Sequence, residues 1–236
     1  MANHLAWSHS RRKTFLECPK QLYHTQIAKK GTPDRVEFVQ SQAMLDGNLI
    51  DDALTKRIGQ NTPLPAHFAQ WEGVCQVVLN TPGAKFTQLK LALDAAYRPC
   101  SYNDWTGAWV RVIYDVAIVN GTYAFLGDWK NGMIVDDPDQ LKLFAAVGFH
   151  HYNDVQDIDT SYIWLKHGQM GDASYNRREL PDLWAAFIPD VERMQVAYKT
   201  NTWPATPQKG RWGWNCKRCA VNKAGLCKEA AVPYQG

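Results

Sequence analysis

The sequence predicts an α/β protein in which helices flank a short mixed β-sheet. Three observations carry this prediction. Two β-rich runs, 110–119 and 123–130, are joined by Asn120-Gly121, which is the strongest short signal for a two-residue hairpin. Asp137-Pro138 then opens a helix in the expected way, with Asp at the N-cap and Pro at the first position. A further strand is predicted over 161–165.

The first part of the chain is predicted to be helical. Ser8 or Ser10 is the expected N-cap of a first helix that runs towards Cys18-Pro19. A second helix covers about 38–58, because the apolar residues there keep a helical period. The segment 59–65 interrupts this pattern, and a third helix is expected over 66–79.

The other elements are predicted from alternation, turn residues and amphipathic spacing. In chain order they are a first strand over 86–95, an irregular loop over 99–104, the hairpin, the helix from Asp137 towards Tyr152, the strand over 161–165 with a neighbour over 174–177, a long helix over 182–199, and a polar linker over 204–213.

The length of 236 residues fits one domain. We expect it to comprise an N-terminal helical part (1–60), a core (84–200) and a cysteine-containing tail (204–236). A net charge of +3 permits nucleic-acid binding without arguing strongly for it. No apolar run approaches the roughly 20 residues of a membrane span. Residues 1–13 contain no apolar signal region, so a cytoplasmic protein without a membrane partner is expected.

The hairpin brings three reactive side chains to one face. If Asn120 and Gly121 form the turn, Asp115 lies opposite Leu126, and residues two apart on a strand share a face. Asp115, Asp128 and Lys130 then project from the same side. The two carboxylates are diagonal neighbours, close enough to bind one divalent metal.

Two carboxylates and a lysine on one face suit phosphodiester hydrolysis. Carboxylate oxygens hold Mg²⁺ or Mn²⁺ and leave positions for water and a phosphate oxygen. The ammonium of Lys130 can orient the attacking water and offset charge that develops on the phosphate. The alternative is a solvated hairpin face with a diagonal salt bridge. The apolar composition of both strands, typical of a sheet buried on both sides, opposes this alternative.

Four of the six cysteines form a second pattern. Cys216 and Cys219 make a C-x₂-C pair, Cys227 follows, and Cys18 lies near the other end of the chain. Disulfides are rare in reducing compartments. Four thiolates satisfy either Zn²⁺ or an iron–sulfur cluster, and the spacing does not separate the two.

Basic residues near these cysteines predict a DNA path if Cys18 meets Cys216. The first candidates are Arg11, Arg12, Lys217 and Arg218, and further candidates are Lys13, Lys20, Lys209 and Arg211, with Trp212 and Trp214 for base stacking. A solvated basic face explains the same residues equally well.

Five segments in order resemble the RecB-like branch of the PD-(D/E)XK nuclease superfamily, especially its phage exonuclease members. They are "SHSRRKTFLECPKQLYH", which is similar to the N-terminal helix ending in Cys-Pro; "AMLDGNLIDDAL", the helix that usually carries a histidine; "VIYDVAIVNGTYAFLGDWKNG", the paired catalytic motifs; "DQLKLFAAVGF", the following helix; and "CKRCAVNKAGLC", the C-terminal cysteine cluster.

The resemblance implies a restriction-endonuclease-like core and a metal-dependent DNA exonuclease. Asp115 and Asp128 would be metal ligands with the carbonyl of Trp129, while Lys130 would position the water with support from Gln140. It also implies a [4Fe-4S] cluster on the four cysteines, which would join the N-terminal helix to the C-terminal tail. DNA is the implied substrate, and a single-strand annealing or other recombination protein is the implied partner, in a bacterial host cell.

This sequence departs from the family pattern at three places. Asp51 replaces the helix histidine and could itself ligate metal. Gln88 stands where the first strand often carries an acid. The small residue that commonly precedes the first catalytic acid is absent. A non-catalytic DNA-binding or host-factor-binding protein that keeps the nuclease fold is therefore the competing hypothesis.

Overall fold

The computed structural model describes residues 4–135, 137–207, 214–230 and 233. The chain forms two compact units. One unit combines the two ends, Met1–Val39 and Phe187–Gly236, and the other is the continuous segment Gln40–Ala186. Within the described residues, no helix combines the length and apolarity that a membrane crossing needs.

The helices are, in chain order, α1 (His9–Glu17), α2 (Pro19–Leu22), α3 (Gln42–Gln60), α4 (Glu72–Asn80), α5 (Pro138–His151), α6 (Leu180–Ala185), α7 (Ile188–Thr200), α8 (Trp214–Arg218) and α9 (Ala220–Lys223). A π-helical turn follows α2 at Tyr23–Ile27, and 3₁₀ turns lie at Ala66–Trp71 and Arg177–Glu179.

The strands are β1 (Ala84–Leu93), β2 (Pro99–Cys100), β3 (Val110–Asn120), β4 (Tyr123–Lys130), β5 (Asp157–Trp164) and β6 (Gln169–Asn176). They form one sheet in the order β2-β1-β3-β4-β5-β6. All neighbours pair antiparallel except β4 and β5, which are parallel and are connected through α5. The predicted mixed sheet flanked by helices is confirmed.

Helices cover both faces of this sheet. On one face, Val116 and Ile118 of β3 join a buried cluster with Leu54 of α3 and Val78 of α4. On the other face, α5 lies so close that an added Cβ on Gly148 would stand 2.9 Å from Leu126 Cδ1. The sheet is therefore buried on both sides, as the apolar composition of its central strands predicts.

The unit that contains both chain ends is held by packing of α1 against α7. The buried Arg12 guanidinium pairs with Asp190 at 2.5 Å and stacks over the Phe187 ring. The Gln195 side chain exchanges hydrogen bonds with the backbone of Leu5. These contacts join the N-terminal segment to the segment that begins at residue 187.

The hairpin register differs from the predicted one by two residues. Asn120 pairs with Tyr123, so the loop is Gly121-Thr122, and Gly121 has φ of 59°. Type II′ turns place glycine at this first central position, whereas the prediction put Asn120 there. The predicted pairing of Asp115 with Leu126 is therefore wrong. A two-residue shift keeps Leu126, Asp128 and Lys130 on one face, because strands have a period of two, and it brings Asp115 level with Asp128.

The predicted helix over 182–199 is also wrong in one respect, since it is two helices. The first ends at Ala185 and the second begins at Ile188, followed by Pro189. Proline lacks the backbone N–H of an interior helical residue and is favoured in the first turn, so it begins a new helix.

We expect Gly148→Val to lower the free energy of unfolding by about 2 kcal/mol, because the new side chain overpacks α5 against β4 and β5. Gly47→Val in α3 is the matched control, since nothing lies within 4 Å of a Cβ at that position. Thermal or urea unfolding of both variants measures the effect. Equal stabilities would contradict the close packing.

Candidate active site

The site is built where strands β3 and β4 separate. Their pairing ends at Val116 and Gly127, and continued pairing would place Asp115 opposite Asp128. Instead, the backbone N–H of Trp129 donates to Asp115 Oδ2 at 2.8 Å. The Asp115 carboxylate thus occupies the gap between the strands at the end of the ladder.

Backbone irregularity aims this carboxylate. Tyr114 donates a hydrogen bond to the carbonyl of Phe144 on α5, whereas Val116 packs with α3 and α4 on the opposite face. Residues two apart normally share a face, so the pleat changes phase at Asp115. Gln88, which faces Asp115 on β1, has φ of 49°, a left-handed conformation that non-glycine residues seldom adopt.

Gln88 joins two of the site carboxylates. Its Nε2 donates to Asp51 Oδ2 at 2.8 Å and to Asp115 Oδ1 at 3.0 Å. Asp51 comes from α3, so this amide connects the helix, β1 and β3. Together with the Trp129 N–H, it provides hydrogen bonds to both oxygens of Asp115.

Asp128 has its own set of partners. The Lys130 ammonium lies 2.5 Å from Asp128 Oδ2, and Gln140 donates to Oδ1 at 2.7 Å. The Tyr162 hydroxyl donates to the Asp137 carbonyl at 2.7 Å and lies 3.2 Å from Gln140 Oε1. The Tyr162 ring lies under Lys130, with the ammonium 5.2 Å from its centroid. Residues from β4, β5 and the start of α5 thus fix this half of the site.

The site concentrates negative charge away from water. Burial raises the pKa of Asp115 to about 7, and the negative charges of Asp128 and Asp51 act in the same direction. Burial also raises the pKa of Asp51 against the hydrogen bond from Gln88, with Asp128 and Asp52 adding to the increase. A divalent cation would neutralise this concentration of charge.

Five of the predicted site residues meet at one cavity of about 500 Å³, namely Asp51, Asp115, Asp128, Trp129 and Lys130. Gln140 is joined to them through Asp128. In the described part of the chain, no three His, Cys, Asp or Glu side chains are close enough to enclose a metal ion. The Gln88 amide lies between two of the three carboxylates. The donor chemistry suits Mg²⁺ or Mn²⁺, and the cavity leaves room for rearrangement.

Two contributors were missed from the sequence. Tyr162 lies beside Asp128 because β5 pairs with β4 in parallel, a register that no local pattern specifies. Lys166 lines the same cavity from just beyond the end of β5. Gln88 departs from the family pattern in the sequence, but its bridging of Asp51 and Asp115 depends on the fold.

The four predicted metal-binding cysteines line one small cavity. Cys18, Cys216, Cys219 and Cys227 surround a volume of about 20 Å³, roughly that of one water molecule. Cys18 Sγ also accepts a hydrogen bond from Thr206 N. Four sulfurs are suitable metal ligands by their chemistry. In the described residues, however, they do not lie close enough together to hold one ion, so the metal centre stays a prediction.

The structure corrects the expected DNA-binding role of Arg12, because its guanidinium is buried against Asp190 and Phe187. Arg11 is engaged too, donating to Gln26 Oε1 and to the Ala6 carbonyl.

The other predicted DNA contacts remain predictions. Lys217 and Arg218 end α8. Lys209, Arg211 and Trp212 lie outside the described residues, as does the side chain of Trp214.

No protein-family model and no curated protein matches the chain. Among solved structures, it is similar to a protein from Eubacterium rectale described as a putative exonuclease. The two are 13% identical over 81% of this chain and 82% of that one, with a TM-score of 0.47. A second similar structure is SSO0001, at 10% identity over 96% and 87% of the two chains, with a TM-score of 0.43. The function proposed below is supported by the geometry of the site.

We expect the metal-free protein to lose stability, relative to Asp115→Asn, as pH rises from about 4 to about 7. In the folded protein Asp115 keeps its proton up to about pH 7, against 3.8 for the ordinary carboxyl, so the folded chain binds more protons in this window. Unfolding titrations in chelator across this range measure the difference. Asp52→Asn, at an exposed carboxylate beside Asp51, is the control. A difference in unfolding free energy between the two proteins that does not change with pH would contradict the raised pKa of Asp115.

Proposed function

We propose that this protein is a metal-dependent DNA nuclease that hydrolyses phosphodiester bonds. In its more specific form, the proposal is an exonuclease that acts in phage or bacterial DNA recombination. One observation carries the proposal. Asp115 and Asp128 come together where β3 and β4 separate, with Lys130 paired to Asp128 and the resulting cavity open to a large ligand. Two carboxylates and an ammonium at such a position suit phosphodiester hydrolysis.

Asp115 and Asp128 are the proposed ligands for Mg²⁺ or Mn²⁺, with the carbonyl of Trp129 and the carboxylate of Asp51 completing the set. When bound, such a cation polarises a phosphate oxygen and favours ionisation of water. Lys130 positions the attacking water and offsets the charge that develops on the phosphate.

The residues around Asp128 prepare it for this role. Gln140 fixes the carboxylate through Oδ1, and Tyr162 in turn lies within hydrogen-bond distance of Gln140. The ring of Tyr162 stabilises the Lys130 ammonium from below. Held in this way, the carboxylate and the ammonium lose little conformational freedom when substrate binds.

A second candidate function is a catalytically weakened nuclease fold that acts as a DNA-binding or host-factor-binding module. The observation in its favour is the Gln88 amide, which donates to the same Asp51 and Asp115 oxygens that a cation would need. Incubation with labelled linear DNA and Mn²⁺ separates the two functions, because digestion requires the cation to displace this amide.

For the nuclease, Asp128→Ala and Lys130→Ala are each expected to lower the rate of DNA digestion by roughly 10³-fold or more, since removing one member of a cooperative site costs nearly the whole effect. Asp52→Ala and Lys56→Ala are matched controls, because this exposed ion pair lies on α3 next to the site. Release of labelled nucleotides from linear DNA is the measurement. Digestion by either site variant at the control rate would refute the assignment.

We further propose that Cys18, Cys216, Cys219 and Cys227 hold a structural metal centre, a [4Fe-4S] cluster by the family resemblance. All four line one cavity, which supports a shared ligand. A single Zn²⁺ ion is the alternative, because four thiolates also satisfy zinc. In either case the centre would join α1 to the C-terminal segment.

A cluster should make the protein brown when it is purified without oxygen. Cys18→Ser should remove the colour and lower the melting temperature, because metal binding and folding are coupled. Cys100→Ser is the control, as that cysteine lies on β2. A colourless protein with stoichiometric zinc would overturn the cluster but keep the centre, and a protein without bound metal would overturn both.

The proposed setting follows from the same family resemblance. DNA is the substrate, a single-strand annealing or other recombination protein is the partner, and the enzyme acts in the cytoplasm of a bacterial host cell. Co-purification with such an annealing protein tests the partner separately from the chemistry.

A further inference from the structure

A group of aromatic and basic side chains lies on the sheet beside the candidate active site. The Arg111 guanidinium is 4.7 Å from the centroid of the Trp105 ring and 5.8 Å from that of Tyr102, and the Lys90 ammonium is 5.9 Å from the Tyr102 ring. We call Lys90, Tyr102, Trp105 and Arg111 the platform. Cations at these distances are attracted by the negative faces of the aromatic rings.

The platform lies on the sheet face of α3, the helix that supplies Asp51 to the active site. The Tyr114 side chain points to α5. Arg111 is three residues earlier on the same strand, and side chains alternate between the two faces, so Arg111 projects from the opposite face. That face is the one that α3 covers at Gln88. Lys90 pairs across from Ile113 on that face. Arg111 precedes Asp115 by four residues of strand, or about 13 Å. A nucleic-acid strand that crosses the platform can therefore reach the carboxylates within a few nucleotides.

The loop that carries Trp105 is rigidly held. Arg111 donates to the backbone carbonyls of Tyr102 at 2.8 Å and of Asp104 at 2.7 Å. The Asp104 carboxylate turns inward and accepts from the backbone of Thr106 and Gly107. These contacts leave Trp105 presented to solvent, with 74% of its surface exposed.

A large exposed indole beside two basic groups, on a loop held by hydrogen bonds, is not explained by core packing. Trp105 contributes little buried area, although such residues usually bury most of theirs. Surfaces that combine aromatic rings with a basic path bind single-stranded nucleic acid, because unpaired bases stack on the rings while the phosphates meet the cations. In a duplex the bases are already stacked and cannot use the ring.

We propose that the platform binds single-stranded DNA and leads it to Asp115 and Asp128, with a base stacked on Trp105 and phosphates on Lys90 and Arg111. That the bound strand is led to a catalytic site rests on the proposed nuclease function. The inference assigns that nuclease a single-stranded substrate or a substrate with a single-stranded end. Arg111 has a second role, since it also supports the loop.

Fluorescence anisotropy of labelled oligothymidylate in chelator tests the platform without any hydrolysis. Trp105→Ala should weaken binding about tenfold, the loss of one stacked base, and should leave binding to a duplex of the same length within about twofold. Trp105→Phe should restore most of the affinity. Lys90→Gln should reduce the dependence of log affinity on log salt by about 0.7, which corresponds to one phosphate contact.

Phe38→Ala is the matched control, because that aromatic is also exposed, at 64%, and lies outside the platform. Wild-type affinity in Trp105→Ala, equal losses for single strand and duplex, or no oligothymidylate binding by the unmodified protein would each overturn the inference. Binding is measured without metal, so a protein that binds as expected but digests no DNA with Mn²⁺ would contradict the nuclease and leave the platform standing.

Discussion

The mutual repulsion of buried carboxylates is the constraint on which the site depends. Asp51, Asp115 and Asp128 come from a helix and two strands. Asp128 raises the cost of ionising both Asp115 and Asp51, and Asp51 raises that of Asp115. Hydrogen bonds from Gln88 and the Trp129 backbone hold Asp115, and Lys130 with Gln140 holds Asp128. The fold thus keeps together charges that would separate in water, as active sites commonly do.

The sheet supplies the rigidity that this repulsion requires. Its two faces are packed against helices, so β3 and β4 cannot move apart along most of their length. They separate where Asp115 enters the gap, and the positive φ of Gln88 and the change of pleat at Asp115 fall at the same level of the sheet. The irregular backbone is therefore confined to the place where the chemistry is proposed.

The amide of Gln88 gives the site two possible states. Without a cation it bridges two carboxylates and opposes the increase in the pKa of Asp51 that burial causes. A cation would compete for the same oxygens. The metal affinity therefore reflects the difference in free energy between the metal-bound and the amide-bridged arrangement, and not the carboxylates alone. A glutamate at this position would add a fourth negative charge. The neutral amide therefore reduces the repulsion and at the same time competes with the metal.

The sequence by itself determined the elements and the face of the hairpin. The spacing of apolar residues, the Ser8 cap and the Asp137-Pro138 start are local signals. That Asp128 and Lys130 share a face follows from a period of two that a two-residue register error cannot change. Tertiary structure decided which turn residues close the hairpin, that Arg12 is buried, and that Tyr162 lies beside Asp128. These three features depend on which surfaces pack together and on how parallel strands that are distant in sequence align. No local sequence pattern encodes either property.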